Sequence, residues 1–381
     1  MIYLDAAGTT AVRREVLQAM WPYLSGETSG EFGNPSSQHD LGKRAARAVD
    51  DARKRIAFVL GCRASEIIFT SGGTESDNLA VKGIALANPR GRHIVTTPIE
   101  HEAVLACCDY LRRHHDFEIT YLPVDEQGRL DACVFGNALR DDTTLCSVMM
   151  ANNEVGTIQP VPELAALARE RGIPFHTDAV QAAGALRLNV AGLGVDALSL
   201  AGHKIGTPKG IGLLYLRGRL QIEPVLHGGG QERGRRSGTE NVAGIVGLAT
   251  ALEIAASGLA ERSARIVSLR DKLIAGIREH VPSAVLTGDP QHRLPNNASF
   301  CFPSVSGEAV LLGLEERGII CSSGSACAAG SDEPSHVLIA MGFSKEVAQT
   351  AVRFTLSDCV AAENLGEVVR AVSEVVARIG G

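Results

Sequence analysis

The sequence predicts an α/β protein: a large domain built on a mainly parallel sheet covered by helices on both faces, joined to a smaller α+β domain. Three observations carry this expectation. Short apolar runs alternate with helix-period segments from about residue 15 to 255. A chain of 381 residues with 45% hydrophobic side chains is long enough for two domains and can bury a substantial core. With 41 glycines and only 4% aromatic residues, the composition suits a sheet-and-helix fold with many tight turns rather than a disordered or fibrous chain.

The segment Met1-Ile2-Tyr3-Leu4-Asp5 runs directly into a strand-like start. Ala45, Val49, Ala52, Ile56, Val59 and Leu60 then repeat at helical spacings and mark an amphipathic helix. Strands are expected over 66–70, 93–97, 118–124, 145–150, 174–177, 197–200 and 211–216, most of them separated by helical stretches. Such alternation implies a parallel sheet buried on both faces, with ligands gathered at the carboxyl ends of its strands. Near residue 260 the pattern changes. An Arg- and Ala-rich helix leads to apolar segments at 296–302, 310–314 and 318–322, and the chain closes on a helix striped by Leu365, Val368, Val369, Val372, Val375, Val376 and Ile379. The expected division is a large domain over 15–259 and a small domain formed by 1–14 and 260–381.

Composition narrows the function. A net charge of −6 and scattered basic residues argue against direct nucleic-acid binding, which needs clustered Lys and Arg. The densest basic run, Arg233 to Arg236, is either a solvated loop or a contact for phosphate or a partner subunit. The nine cysteines include no Cys-x-x-Cys pair and no metal-ligand spacing, so reduced thiols in a cytoplasmic protein are expected, with no metal site. No stretch reaches the ~18 uninterrupted apolar residues of a membrane span, and the start of the sequence lacks a basic and apolar leader.

Four places carry chemistry. Lys204, in Gly202-His203-Lys204-Ile205-Gly206 just past a strand, reads as a Schiff-base lysine held against a flat cofactor. Asp178, at the end of the preceding strand, either pairs with a pyridinium nitrogen or caps the turn that begins at Ala179, and Gln181 beside it can reach a ring hydroxyl. The run Thr70-Ser71-Gly72-Gly73-Thr74-Glu75-Ser76-Asp77 joins strand to helix, with Thr74 as the expected cap and Asp77 as its box partner; it is either an anion-binding helix start or only a cap. It is not a P-loop, because no Gly-Lys-Ser/Thr follows. His101 has a face to stack on a cofactor and a proton affinity suited to shuttling, although a lone histidine is more often structural. Cys327 lies in Cys321-Ser322-Ser323-Gly324-Ser325-Ala326-Cys327, framed by glycine, serine and alanine, as an accessible nucleophile is and a buried structural thiol is not. It stands three residues beyond Gly324, so its backbone lies at most ~10 Å from that hinge.

Together with Tyr3-Leu4-Asp5, Phe32-Gly33-Asn34-Pro35-Ser36-Ser37, Asn152-Asn153-Glu154-Val155-Gly156, Arg236-Ser237-Gly238-Thr239-Glu240-Asn241 and Glu333-Pro334-Ser335, these segments resemble the cysteine desulfurases of the NifS/IscS type, in the class V aminotransferase family. The resemblance covers nearly the whole chain, and the Ser-Ser-Gly-Ser-Ala-Cys loop matches the family's group I. It implies the fold-type I architecture of pyridoxal 5′-phosphate enzymes, with a seven-stranded large-domain sheet, and a homodimer. It also implies an activity that converts L-cysteine to L-alanine and leaves a persulfide on Cys327 for a sulfur acceptor or scaffold. Iron–sulfur assembly, tRNA thiolation and DNA phosphorothioation draw on such enzymes. Carried over by position, Lys204 carries the cofactor and acts as base, Asp178 meets the pyridine nitrogen, Gln181 the ring hydroxyl, and His101 stacks on the ring. Gly73, Thr74 and His203 hold the phosphate, Thr239 reaches it from the other subunit, and Asn34, Asn153 and Arg353 meet the substrate, Arg353 as a bidentate fork. Two positions depart from the family pattern: Ala201 stands where serine is frequent, and Thr207 where glycine is usual. The alternatives are a selenocysteine lyase or another fold-type I enzyme, for which the Cys327 loop is not needed by a transaminase. A nicotinamide dehydrogenase is disfavoured, since no Gly-x-Gly-x-x-Gly turn joins strand to helix; a sulfur-carrier or scaffold role in which Cys327 only accepts sulfur is a third alternative, separated from the others by a visible spectrum and an alanine assay with cysteine.

Overall fold

The structure, a computed structural model, describes residues 1–25, 31–87, 90–324 and 333–380. Strands are numbered β1 (Ile2–Tyr3), β2 (Ile67–Thr70), β3 (His93–Thr96), β4 (Glu118–Tyr121), β5 (Thr143–Ser147), β6 (Phe175–Asp178), β7 (Ala197–Ala201), β8 (Gly212–Leu216), β9 (Val285–Leu286), β10 (Asn297–Cys301), β11 (Ile319–Ile320) and β12 (Ala351–Thr355).

Seven strands form the central sheet in the order β2-β8-β7-β6-β5-β3-β4, and only β8 runs against the others. All seven fall on segments expected from the apolar runs, displaced by one to three residues at their ends. Alternation along the strands splits the core in two, as a doubly covered sheet requires. Ile67, Phe69, Leu198, Leu200 and Leu213 pack under the helices Asp40–Leu60, Val161–Glu170 and Val242–Ala256. Ile68, Ala197, Leu214 and Leu216 face the helices Gly73–Ala87 and Glu102–His115 on the other side.

The helix Asp40–Leu60 shows how local sequence sets an element. His39 Nδ1 accepts the Gly42 amide at 3.2 Å as its N-cap, and Gly61 at φ +68° ends it in the left-handed region that glycine tolerates. Between them Ala45, Val49, Ala52, Ile56 and Leu60 form the buried stripe; full burial of Ile56 and Leu60 contributes roughly 1.5–3 kcal/mol each.

A second core forms around the antiparallel sheet β12-β10-β9 and the parallel pair β1-β11. The helices Leu259–His280 and Ala362–Gly380 pack on Ala298, Phe300, Val352 and Phe354 through Leu269, Leu273, Val368, Val372 and Val375. Neither β9 nor β12 was evident from the apolar pattern. Within β12, Val352 and Phe354 enter this core, so Arg353 between them points the opposite way.

Among the described residues no single helix is long and apolar enough to cross a membrane. The bent pair Val242–Ala256 and Leu259–His280 has the length and composition, but Val242–Ala256 lies in the core against the sheet.

Candidate active site

The chemistry-bearing residues gather along one edge of the central sheet because five strands end there. β2 leads through Ser71-Gly72 into the helix Gly73–Ala87, β6 ends on Asp178, and β7 leads into the tight turn Gly202–Lys204. The chain beyond β3 reaches His101, the N-cap of helix Glu102–His115, and the chain beyond β5 reaches Asn152 and Asn153.

The N-terminal segment closes over this edge. Lys204 Nζ donates to the Ala7 carbonyl and, at 2.7 Å, to that of Gly8, and Gln181 Nε2 donates to the same Ala7 carbonyl at 3.1 Å. The His203 carbonyl accepts the Thr10 amide and hydroxyl, both at 2.9 Å, and its Nδ1 lies 3.2 Å from Thr9 Oγ1. Burial, with Lys204 and Lys209 beside it, pushes His203 down to about 4, so the ring is neutral near pH 7.

Asp178 is both a cap and an available carboxylate. Its Oδ1 accepts the Val180 amide at 2.8 Å, which leaves Oδ2 for a second partner. Burial raises this carboxyl, while His101, the Val180 amide and Lys204 pull it back. Two further buried acids stand behind it. Burial, and then the Asp178 charge, pushes Asp77 well up; burial pushes Glu100 up to about 8. His176, driven down to about 3 by burial, bridges Ser147 Oγ and Ser199 Oγ at 2.9 Å each and is neutral. Burial thus favours the protonated forms of Asp77 and Glu100, while at Asp178 the His101 and Lys204 charges offset part of the burial effect. His101 Nδ1 accepts the Ala103 amide at 3.1 Å, so the proton of the neutral ring sits on Nε2.

The glycine turn differs from expectation in one respect. Thr74 is the second residue of the helix rather than its cap, and Asp77 is buried against Ser199 and His176 rather than boxing the helix start. Glu75 takes that place: its carboxylate accepts the Ser71 amide at 2.7 Å and Arg236 at 2.8 Å. The basic run is thereby used locally, since Arg233 also donates to the Ile67 carbonyl at 2.7 Å. A Cβ on Gly72 would meet open space, whereas one on Gly73 would press on Val180 at 2.9 Å and approach the Ala201 methyl at 3.5 Å. Ala201 thus borders the cup at Gly73. The other departure, Thr207, turns its hydroxyl to the Pro208 carbonyl at 2.9 Å and fills the space a side chain on Gly202 would need.

Arg353 ties three distant segments together. Its Nη2 pairs with Asp5 at 2.7 Å, and its Nη1 donates to the Asn153 carbonyl at 2.9 Å and the Gly324 carbonyl at 3.4 Å. Its Nε is buried with no partner among the described residues. Asn34 and Thr239 are exposed: Asn34 Oδ1 accepts the Ser36 amide, at 2.9 Å, within its own turn, and neither residue meets the Lys204 cluster in the single chain. Cys327 lies outside the described residues. Glu100 and Glu154, both buried beside this edge, went unnoticed in the chemical reading of the sequence; each directly follows or precedes a singled-out residue, which was the available signal.

The family description aminotransferase class-V matches residues 2–368. The chain is 48% identical over 379 residues to a protein of Methanosarcina thermophila named cysteine desulfurase IscS, covering 99% of this chain and 92% of that one. Among solved structures, a NifS-like protein matches with a TM-score of 0.92 and 38% identity over 99% of both chains. A structure titled SspA in complex with cysteine matches with a TM-score of 0.81 and 37% identity, over 93% of this chain and 99% of that one.

Proposed function

The chain belongs to the class-V aminotransferase family and, within it, to the cysteine desulfurases, and on that premise we propose that Lys204 and Cys327 together move sulfur from L-cysteine to a protein acceptor. Such enzymes depend on pyridoxal 5′-phosphate, and the residues present fit that group. Gly72 and Gly73 leave a side-chain-free cup at a helix start suited to a phosphate. A lysine, a partly uncommitted buried carboxylate and a histidine ring converge beside it. The observation that carries the reading is the meeting of Lys204 and Gln181 on one Ala7 carbonyl, with Asp178 electrically coupled to Lys204 and His101.

Bound there, the cofactor supplies a ring that accepts the electron pair released at the substrate α-carbon. Asp178 would keep the pyridine nitrogen protonated, Gln181 would reach the ring hydroxyl, and His101 would cover the ring. Gly73, Thr74 and neutral His203 would hold the phosphate. Arg353 binds the substrate carboxylate, its Nε having no partner among the described residues, with Asn34 and Asn153 alongside. Lys204 takes the α-proton. The Cys327 thiolate then forms an S–S bond to the substrate sulfur while the C–S bond breaks; the electron pair stays with carbon, which takes up a proton. The sum is cysteine plus Cys327 thiol giving alanine plus a Cys327 persulfide, with no external oxidant. Several other thiols are poorly placed to compete: burial pushes Cys62, Cys107 and Cys321 up to about 12 and Cys301 to about 11.

The working unit is a homodimer in the cytoplasm, with Thr239 of each subunit reaching the phosphate of the other. The exposure of Thr239, the exposed apolar side chains Leu17, Trp21, Leu24 and Phe58, and the eight described cysteines standing as free thiols support this. A visible spectrum combined with an alanine assay tests the function. The purified protein should absorb as a protein-bound cofactor and release alanine from L-cysteine. Absence of that absorption, or alanine from selenocysteine alone, would overturn the reading.

A further inference from the structure

The two described ends of the segment that carries Cys327 meet on one side chain. Gly324, at φ +86°, faces the Glu154 side chain: a Cβ there would be at ordinary contact distance, 3.4 Å, from Glu154 Oε2. At the far end, Ser335 Oγ donates to the same Oε2 at 2.5 Å while accepting the Leu338 amide at 3.2 Å as cap of the helix His336–Ala340. Each end has a second fastening. Ser322 and Arg353 exchange backbone hydrogen bonds of 2.6 and 3.2 Å, and Arg353 Nη1 reaches the Gly324 carbonyl; His336 Nε2 lies 3.0 Å from the Glu100 carbonyl.

Glu154 is itself held firmly. Asn152 Oδ1 accepts its amide at 2.8 Å, and Asn297 Nδ2 donates to its carbonyl at 3.1 Å. Its peptide neighbour Asn153 is the residue whose carbonyl binds Arg353. The carboxyl is thus fixed to the scaffold that fixes the substrate-side arginine. Burial pushes it up, while Ser335, His336, Arg353 and His101 pull it back.

We propose that Glu154 is a positioning residue for the sulfur-accepting step: its buried carboxyl registers both ends of the Cys327 segment against the scaffold that carries Asn153 and Arg353. The inference rests on the assignment of Cys327 as nucleophile. One bonded end and one end packed on the same group fix where the segment departs from and returns to the scaffold, and misplacement by about 1 Å can cost on the order of 100-fold in rate. Chemistry at Lys204 does not pass through Glu154, so the two halves of the reaction respond differently to its loss.

Holoenzyme variants decide the matter. On mixing with L-cysteine, Glu154→Ala should keep the visible absorbance change of the first half-reaction while persulfide formation on Cys327, followed by mass spectrometry, slows about tenfold or more. Glu154→Gln keeps an acceptor for Ser335 and should stay within about threefold of wild type. Wild-type persulfide rates in Glu154→Ala would overturn the proposal. Equal slowing of the Gln and Ala variants would also overturn it, since it would assign Glu154 to proton transfer. Where Glu154→Ala does not fold, Ser335→Ala removes the same bond from the other side, with the same expectation and the same refuting result. A wild-type persulfide on another cysteine would refute the Cys327 assignment instead. The anchoring would then still be read from Cys327 alkylation in the resting holoenzyme, which should quicken severalfold in Glu154→Ala; an unchanged rate would overturn it.

Discussion

The two sides of the candidate site are built differently. On the sheet side, Asp178, Lys204 and His101 are delivered by the ends of parallel strands and backed by buried titratable groups: burial raises Asp77 and Glu100, and His203 and His176 are neutral. On the opposite side no single element delivers the chemistry. Arg353 is turned out of its own core by strand alternation and joins Asp5, Asn153 and Gly324, while Glu154 bonds Ser335 and faces Gly324. A rigid side for the cofactor and a tied, multi-segment side for the substrate sulfur suit a reaction in which one group must stay fixed and another must travel.

The largest test of that contrast is Lys204→Ala. It removes both the cofactor attachment and the base, so absorption of the protein-bound cofactor should vanish and alanine formation should fall by at least about 10³-fold; an unchanged spectrum would remove the sheet side from the account. Next is Arg353→Lys. The planar fork becomes a point charge that cannot serve Asp5, Asn153 and substrate at once, so KM for L-cysteine should rise roughly 10- to 100-fold with a smaller fall in kcat. A fall in kcat alone, measured by steady-state alanine release, would place Arg353 outside substrate binding.

A smaller effect concerns Glu100. Its folded value near 8 exceeds its ordinary 4.5, so the folded protein holds a proton that the unfolded chain has released. Its contribution to stability is therefore full below about pH 4.5 and is lost as pH rises toward 8. Glu100→Gln carries no such proton and keeps an acceptor for Thr97 and Met149, which now donate to Oε1 at 2.7 and 3.0 Å. Its unfolding free energy relative to wild type, from urea titrations, should improve between pH 5 and pH 8 by an amount on the order of 1 kcal/mol or more. Parallel pH profiles would show that Glu100 is ionised. The smallest is Thr239→Val, which should weaken cofactor binding about fivefold, the worth of one hydrogen bond, only at concentrations where the protein is dimeric; equal weakening in the monomer would detach Thr239 from the partner's phosphate.

The two sides also differed in legibility. The seven sheet strands are short apolar runs bounded by turns, and the residues just past them were found because strand ends are where such sheets bind ligands. Thr74 was misjudged as a cap because Glu75, one residue on, reaches back to Ser71 once Arg236 folds beside it, a contact 161 residues away in sequence. Strand β12 was missed because Ala351-Val352-Arg353-Phe354-Thr355 interrupts its apolar run with an arginine whose reason lies in Asp5. Glu154 sits inside a quoted motif, yet its meeting with Ser335 spans 181 residues and no local pattern encodes it.

The most direct measurement of the central claim mixes the holoenzyme and its Cys327→Ser variant with L-cysteine while recording visible absorbance and sulfide. The account predicts that the variant retains both the bound cofactor and the absorbance change with cysteine, while sulfide release in the presence of a reductant disappears. Undiminished sulfide release from the variant would contradict it.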